Sequence, residues 1–185
     1  LKHLTLTFNG EIFNYLELRS ELQERGHNYK TRSDTEVLIR AYLEWGEDFL
    51  DRIDGMWAFA LFDASRGALL ICRDRFGEKP LFLMHHRGNL FFASNIPTLN
   101  FLAGSAPTPN LEKIRRYLCG GFRLINKSND TFFNGVLEFP AAHMSWINTT
   151  AVPVPQRYWA LKYKPQKTAR AELVGKVHDQ ILKSV

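Results

Sequence analysis

The feature that most constrains the fold is a change of apolar period at Met56: helical spacing dominates before it, and strand-like blocks follow it. An opening strand over residues 3–8 alternates polar and apolar side chains. Residues 14–25 then read as a helix. Asn14 and Glu17 have capping-box spacing, Leu18 and Leu22 share a face, and Gly26 follows as a stop. A second helix over 34–45 carries Val37, Leu38, Ala41, Tyr42 and Trp45 on one stripe, and residues 49–53 add a short helical turn. Beyond Met56, runs at 56–62 and 68–73 flank one turn, and runs at 81–85 and 90–93 flank the turn His86-Arg87-Gly88-Asn89. Helices followed by consecutive hairpins predict an α+β domain with an antiparallel sheet. Several of the strands are apolar on both faces, as a sheet covered on each side requires.

Past Ser94 the signal loosens into a segment rich in Pro, Gly and Asn. It contains one good helix, 111–118, with Asn110 as cap, and strands are expected at 143–147 and 158–161. A final amphipathic helix opens at Thr168 and aligns Val174, Val177, Ile181 and Val185. Its apolar stripe has no evident partner upstream. Residues 1–162 therefore read as one domain, and 163–185 as a linker and the first helix of a second, truncated one.

Composition narrows the class. With 185 residues, 45% hydrophobic and 13% aromatic, the chain can bury a core. The net charge of +5 is spread thinly over 24 Lys and Arg, which argues against a nucleic-acid groove. The longest apolar run, 56–62, is too short to span a bilayer, and no leader opens the chain. Cys72 and Cys119 read as two buried thiols in a reducing, cytoplasmic setting. No metal-ligand spacing occurs, since His85 and His86 point to opposite faces of one strand.

Near the start, Asn9-Gly10 taken alone signals a turn, and Glu11 a first-turn acid. Ser33 and Glu36 have capping-box spacing, which puts Asp34 at the first helical position, where acids favour the dipole. The ordered set overrides these single readings. Phe8-Asn9-Gly10-Glu11-Ile12-Phe13-Asn14-Tyr15 is followed by Ser33-Asp34-Thr35-Glu36-Val37, by residues 55–63, and by Arg73-Asp74-Arg75-Phe76-Gly77-Glu78-Lys79-Pro80-Leu81-Phe82. The set resembles the amidotransferase half of the glutamine-hydrolysing asparagine synthetases, the class II glutamine amidotransferases, closely over residues 1–94 and more faintly to 162.

The resemblance implies an Ntn-hydrolase-like four-layer α/β/β/α sandwich with antiparallel sheets, here N-terminally truncated. It implies L-glutamine as ligand. Asn9 and Gly10 match oxyanion-hole positions, and Glu11 and Asp34 match positions that hold the substrate. Amide hydrolysis needs donors where negative charge develops, which the Asn9 amide and the Gly10 N–H supply. The segment 73–82 reads as structural. The family's N-terminal cysteine nucleophile and an upstream arginine for the glutamine carboxylate have no counterpart, so the fragment is expected to be inactive. Ser94-Asn95 stands where relatives carry Ser-Glu, and Pro140-Ala141-Ala142-His143 where they carry Pro-Pro-Gly-His, changes that bear on the interdomain surface. The resemblance further implies a C-terminal synthetase domain using ATP and Mg to amidate a carboxylate such as aspartate, and it allows a homodimer. No cofactor or metal is assigned to the fragment itself. A regulatory or scaffolding domain, or an amidotransferase acting on another acceptor in polysaccharide or antibiotic biosynthesis, are the alternatives.

Overall fold

A computed structural model describes residues 3–121, 128–148, 153–165 and 170–183. Thr168 and Val185, placed in the last helix above, lie outside these residues. The predicted helices form as α1 (Tyr15–Glu24), α2 (Asp34–Trp45) and the short α3 (Phe49–Arg52). The first strand, β1 (Leu4–Ile12), runs straight through Asn9 and Gly10. It pairs antiparallel with β2 (Gly55–Asp63) from Leu4↔Asp63 to Ile12↔Gly55, and that continuous ladder overrides the local turn preference of Asn-Gly.

The hairpins follow as β2 with β3 (Ala68–Arg73), then β4 (Phe82–His86) with β5 (Asn89–Ala93). The second hairpin closes at Arg87 and Gly88, both at positive φ, as a tight two-residue turn demands. Further on come α4 (Ile96–Ala103), α5 (Leu111–Gly120), β6 (Val136–Glu138), β7 (His143–Ile147), β8 (Gln156–Arg157) and α6 (Arg170–Lys183). One sheet has the order β1-β2-β3-β7-β8 and the other β5-β4-β6.

Strand alternation sorts the core into layers. Trp57, Phe59 and Leu61 face Leu18 and Leu22 of α1 and Val37, Leu38 and Ala41 of α2. Their neighbours Ala58 and Ala60, with Ile71, turn the other way and meet Leu83 of the second sheet and Leu81 and Phe139 at its flanks. On the far face of that sheet Met84 and Val136 pack on Leu99 of α4. The result is the four-layer α/β/β/α sandwich that the resemblance implied. Small residues on one face of β2 let the sheets approach. Large ones on the other fill the helix layer, each fully buried side chain of that size contributing about 2 kcal/mol.

Several local expectations fail for identifiable reasons. The Asn14 side chain forms no capping box; it donates to the Arg52 carbonyl and accepts from the Asp54 N–H, clamping α1 to the end of α3. Helix α4 escapes a sequence reading because it is short and carries Pro97. That proline sits in the first turn, where its missing N–H has no helical partner. Asn95 accepts from Thr98 N, so the residue that departs from Ser-Glu caps this helix. β6 is too short for its period to register. The strand expected at 158–161 is absent, and the pairing occurs at Gln156–Arg157. Tyr158 instead donates its N–H to Ala142 O and its hydroxyl to Arg73 O, and Trp159 packs edge-on against Phe76. Cys119 is exposed, against the expectation of two buried thiols.

Ala142 has a φ of 59°, in the left-handed region, where a glycine would carry no Cβ penalty. Ala142→Gly is therefore expected to raise stability by about 1 kcal/mol, read as an upward shift of the urea midpoint at unchanged slope.

Candidate functional site

The site is built on the outer edge of β1, which no other strand covers among the described residues. In an antiparallel ladder, alternate residues turn their backbone groups toward and away from the partner. Trp57 directs both of its groups away from β1, its N–H to Asp74 Oδ2 at 3.3 Å and its carbonyl to Asp74 N at 2.8 Å. Ile12, also turned outward, donates its N–H to Asp34 Oδ2 at 3.1 Å. Gly10 lies opposite Trp57 and two residues before Ile12, so its N–H points to the open edge. The glycine is obligatory there. A Cβ at position 10 would lie 2.3 Å from Met56 O and 2.8 Å from the Trp57 Cα.

Gly10, Glu11 and Asp34 come together with Tyr15, Arg32 and Ser33 around one cleft of about 380 Å³. Asp34 ties two elements together: its Oδ2 holds β1 through Ile12, and at the first position of α2 its Oδ1 accepts from Thr35 N at 2.7 Å. Ser33 caps that helix by accepting from Thr35 N. Glu36 does not close the expected capping box. It reaches back to Lys30 N, Thr31 N and the Thr31 hydroxyl, and so pins the loop that presents Arg32.

Burial opposes ionisation of Glu36. The hydrogen bonds from Lys30, Thr31 and Arg40 outweigh it and hold the carboxyl down at about 2, against 4.5 for the free group. A folded value below the unfolded one means that the contribution is complete above pH 4.5 and is lost as pH falls toward about 2. Glu36→Gln is expected to lower stability by about 2 kcal/mol at neutral pH and to flatten the acid limb of the stability curve over that window. Urea melts at a series of pH values test this.

Asn9 lies on the neighbouring cleft, about 390 Å³, which opens between the two sheets and is also lined by Ala58, Ala60, Leu81, Ser94 and Thr98. Its Nδ2 donates to Ser94 Oγ at 3.0 Å, which orients the amide and leaves a second hydrogen for a ligand oxygen. The structure thus gathers Gly10, Glu11 and Asp34 in one cleft and sets Asn9 one step along β1 in the next. Ser94 is the site residue that the sequence reading placed elsewhere. It is 85 positions from its partner, and no local pattern announces the pair.

Neither cysteine lines either cleft. Cys72 is fully buried, with its thiol pKa pushed up by burial, and so is a poor nucleophile. The segment after β3 turns its polar groups inward. Arg73 donates to the carbonyls of Gly77, Lys79 and Phe139 and pairs with Glu138 at 2.8 Å, while Asp74 is fully buried. That is a folding role.

Comparison with known proteins shows the family and the fold. The model of the glutamine amidotransferase domain family matches residues 1–159. Asparagine synthetase [glutamine-hydrolyzing] 3 of Bacillus subtilis is 31% identical over 173 residues, which is 94% of this chain and 28% of that protein. Asparagine synthetase B of Escherichia coli is 43% identical over 95 residues, 51% of this chain and 17% of its own length. The chain thus spans well under a third of these relatives. Among solved structures, the glutamine phosphoribosylpyrophosphate amidotransferase from B. subtilis, complexed with ADP and GMP, superposes with a TM-score of 0.59 at 19% identity. It covers 84% of this chain and 29% of its own, and it shares the Ntn-hydrolase fold. With a matching family model over most of its length and an Ntn-type sandwich beneath the cleft, the chain belongs to the glutamine amidotransferase domain family.

Proposed function

We propose that this chain forms the glutamine pocket of an asparagine synthetase-like amidotransferase. The observation that carries the reading is the convergence of the outward Gly10 N–H with Glu11 and Asp34 at one cleft, beside the Ser94-oriented amide of Asn9. Two carboxylates suit the substrate's ammonium group, and the two donors suit an amide oxygen that becomes an oxyanion. L-Glutamine is expected to bind the chain and N-acetyl-L-glutamine, which lacks the ammonium, to bind at least tenfold more weakly. Equal binding of the two, measured by calorimetry, would remove Glu11 and Asp34 from this role.

Hydrolysis requires a thiol that neither Cys72 nor Cys119 supplies, so the chain alone is expected to release no ammonia from glutamine above the buffer rate. Enzyme-dependent ammonia release would refute this division of labour. In the whole protein, ammonia passes to a synthetase part that uses ATP and Mg to amidate a carboxylate such as aspartate in the cytoplasm. No residue of this chain is assigned to either cofactor. A regulatory or scaffolding role is the second reading. N-terminal sequencing of the natural polypeptide separates the two: a leading cysteine supports the enzyme, any other residue the regulator.

A further inference from the structure

We propose that the broad cleft between the β7–β8 pair and the loop before β6 binds a phosphate monoester carried on a flat aromatic group, as in a nucleoside monophosphate. Its volume is about 810 Å³, against about 390 Å³ for the cleft beside Asn9, and it shares no lining residue with either cleft at β1. Two basic side chains meet in it. His143 stands directly opposite Arg157 in the β7–β8 pair, so both project from one face of the sheet with Cβ atoms about 5 Å apart. The His143 Nδ1 donates to Ala141 O at 2.7 Å, which leaves Nε2 for a ligand. No described ion pair or hydrogen bond engages the Arg157 guanidinium.

Directly opposed cations cost a sheet stability, and an anion between them reverses the sign. The other charges in the cleft favour the same ligand. Arg73 is buried and pairs with Glu138 at 2.8 Å, and the buried Lys113 donates its ammonium to the Asp130 carbonyl at 2.6 Å. With the Arg73–Glu138 pair cancelled, Lys113 and Arg157 stand against the one carboxylate of Asp130, and a protonated His143 adds to the excess. A guanidinium forks onto two oxygens of a phosphate, and the imidazole takes a third. The walls set the rest of the ligand. Phe76 and Phe132 line the cleft, 70% and 37% exposed, and each is braced edge-on by a neighbour, Trp159 and Tyr117. Exposed rings held in place take a flat ring by stacking, and the volume falls within the range of small-molecule sites. An inorganic ion would leave both rings uncovered.

The test compares AMP, adenosine and inorganic phosphate by calorimetry on the 185-residue chain and on Arg157→Ala, His143→Gln and Phe76→Ala. Lys164→Ala removes an exposed charge away from the cleft and serves as control. The unaltered chain should bind AMP about tenfold more tightly than either adenosine or phosphate. Arg157→Ala and His143→Gln should each weaken AMP by about tenfold and leave adenosine unchanged, while Lys164→Ala should alter neither. Phe76→Ala should weaken AMP and leave phosphate unchanged. AMP affinity should also fall with added salt, less steeply in Arg157→Ala. Because Arg157 is exposed, its loss should leave the thermal midpoint of the free chain unchanged. Equal affinity of the parent for AMP and phosphate would show an adventitious ion only and overturn the assignment. So would AMP binding that survives both Arg157→Ala and His143→Gln, or a parent chain that binds no AMP.

Discussion

Asp74→Ala is expected to lower folding stability by about 4 kcal/mol. The carboxylate is fully buried and accepts four backbone N–H groups. Oδ1 takes Phe76 N and Glu78 N, each at 3.0 Å, and Oδ2 takes Lys79 N at 3.0 Å and Trp57 N at 3.3 Å. Alanine would leave four donors without their acceptor, Trp57 N buried and the other three partly buried, and each would bear an unrelieved desolvation cost. The backbone of the same residue binds Trp57 O and receives Ala142 N, so the turn after β3, the start of β2 and the approach to β7 all depend on it. Asp74→Asn should lose roughly half as much, because one oxygen remains to accept. Urea melts read the effect as a fall in midpoint; a loss under about 1 kcal/mol for the alanine variant would show that the turn is held by Arg73 alone.

Gly10→Ala is expected to cost about 3 kcal/mol and to eliminate glutamine binding as well. The added methyl would lie 2.3 Å from Met56 O and 2.8 Å from the Trp57 Cα. Both neighbours are backbone in the adjoining strand and cannot rotate aside, so β1 must lift from β2. That movement carries the Gly10 N–H off the cleft and pulls Ile12 from Asp34. Gly175→Ala serves as the control: it lies in α6 with nothing within 4 Å of the added methyl, and should gain about 1 kcal/mol of helix stability. Calorimetric titration with L-glutamine, paired with a thermal melt of each variant, separates lost binding from lost folding. Normal stability and normal affinity in Gly10→Ala would contradict the close approach of the two strands.

How much of this was legible beforehand depends on the range of the interaction concerned. Helix α2 was readable to its ends, because its stripe, its Ser33 cap and Gly46 all lie within a few residues. The strand blocks after Met56 were readable because period two reports a local face. Asn9, Gly10, Glu11 and Asp34 were singled out as candidate site residues from the ordered motifs, and the inward role of residues 73–82 was anticipated. Their purpose was legible only through resemblance, since each taken singly has a structural explanation.

By itself, then, the sequence determined the α+β class and the main helices and hairpins, which follow from spacing along the chain, and the family and the residues to watch, which follow from the resemblance of its ordered motifs. Only the tertiary structure decided that Asn-Gly is mid-strand rather than a turn, because the β1–β2 ladder outweighs a two-residue preference. It also decided that Ser94 orients Asn9, that Glu36 holds the loop at Lys30 and Thr31 instead of closing a cap, and that Arg32 shares a cleft with Glu11 and Asp34. Those outcomes turn on which side of a strand a group faces and on what another part of the chain brings beside it. Local periodicity carries no record of such distant partners, because hydrogen bonds and close backbone approaches form only once the layers are packed.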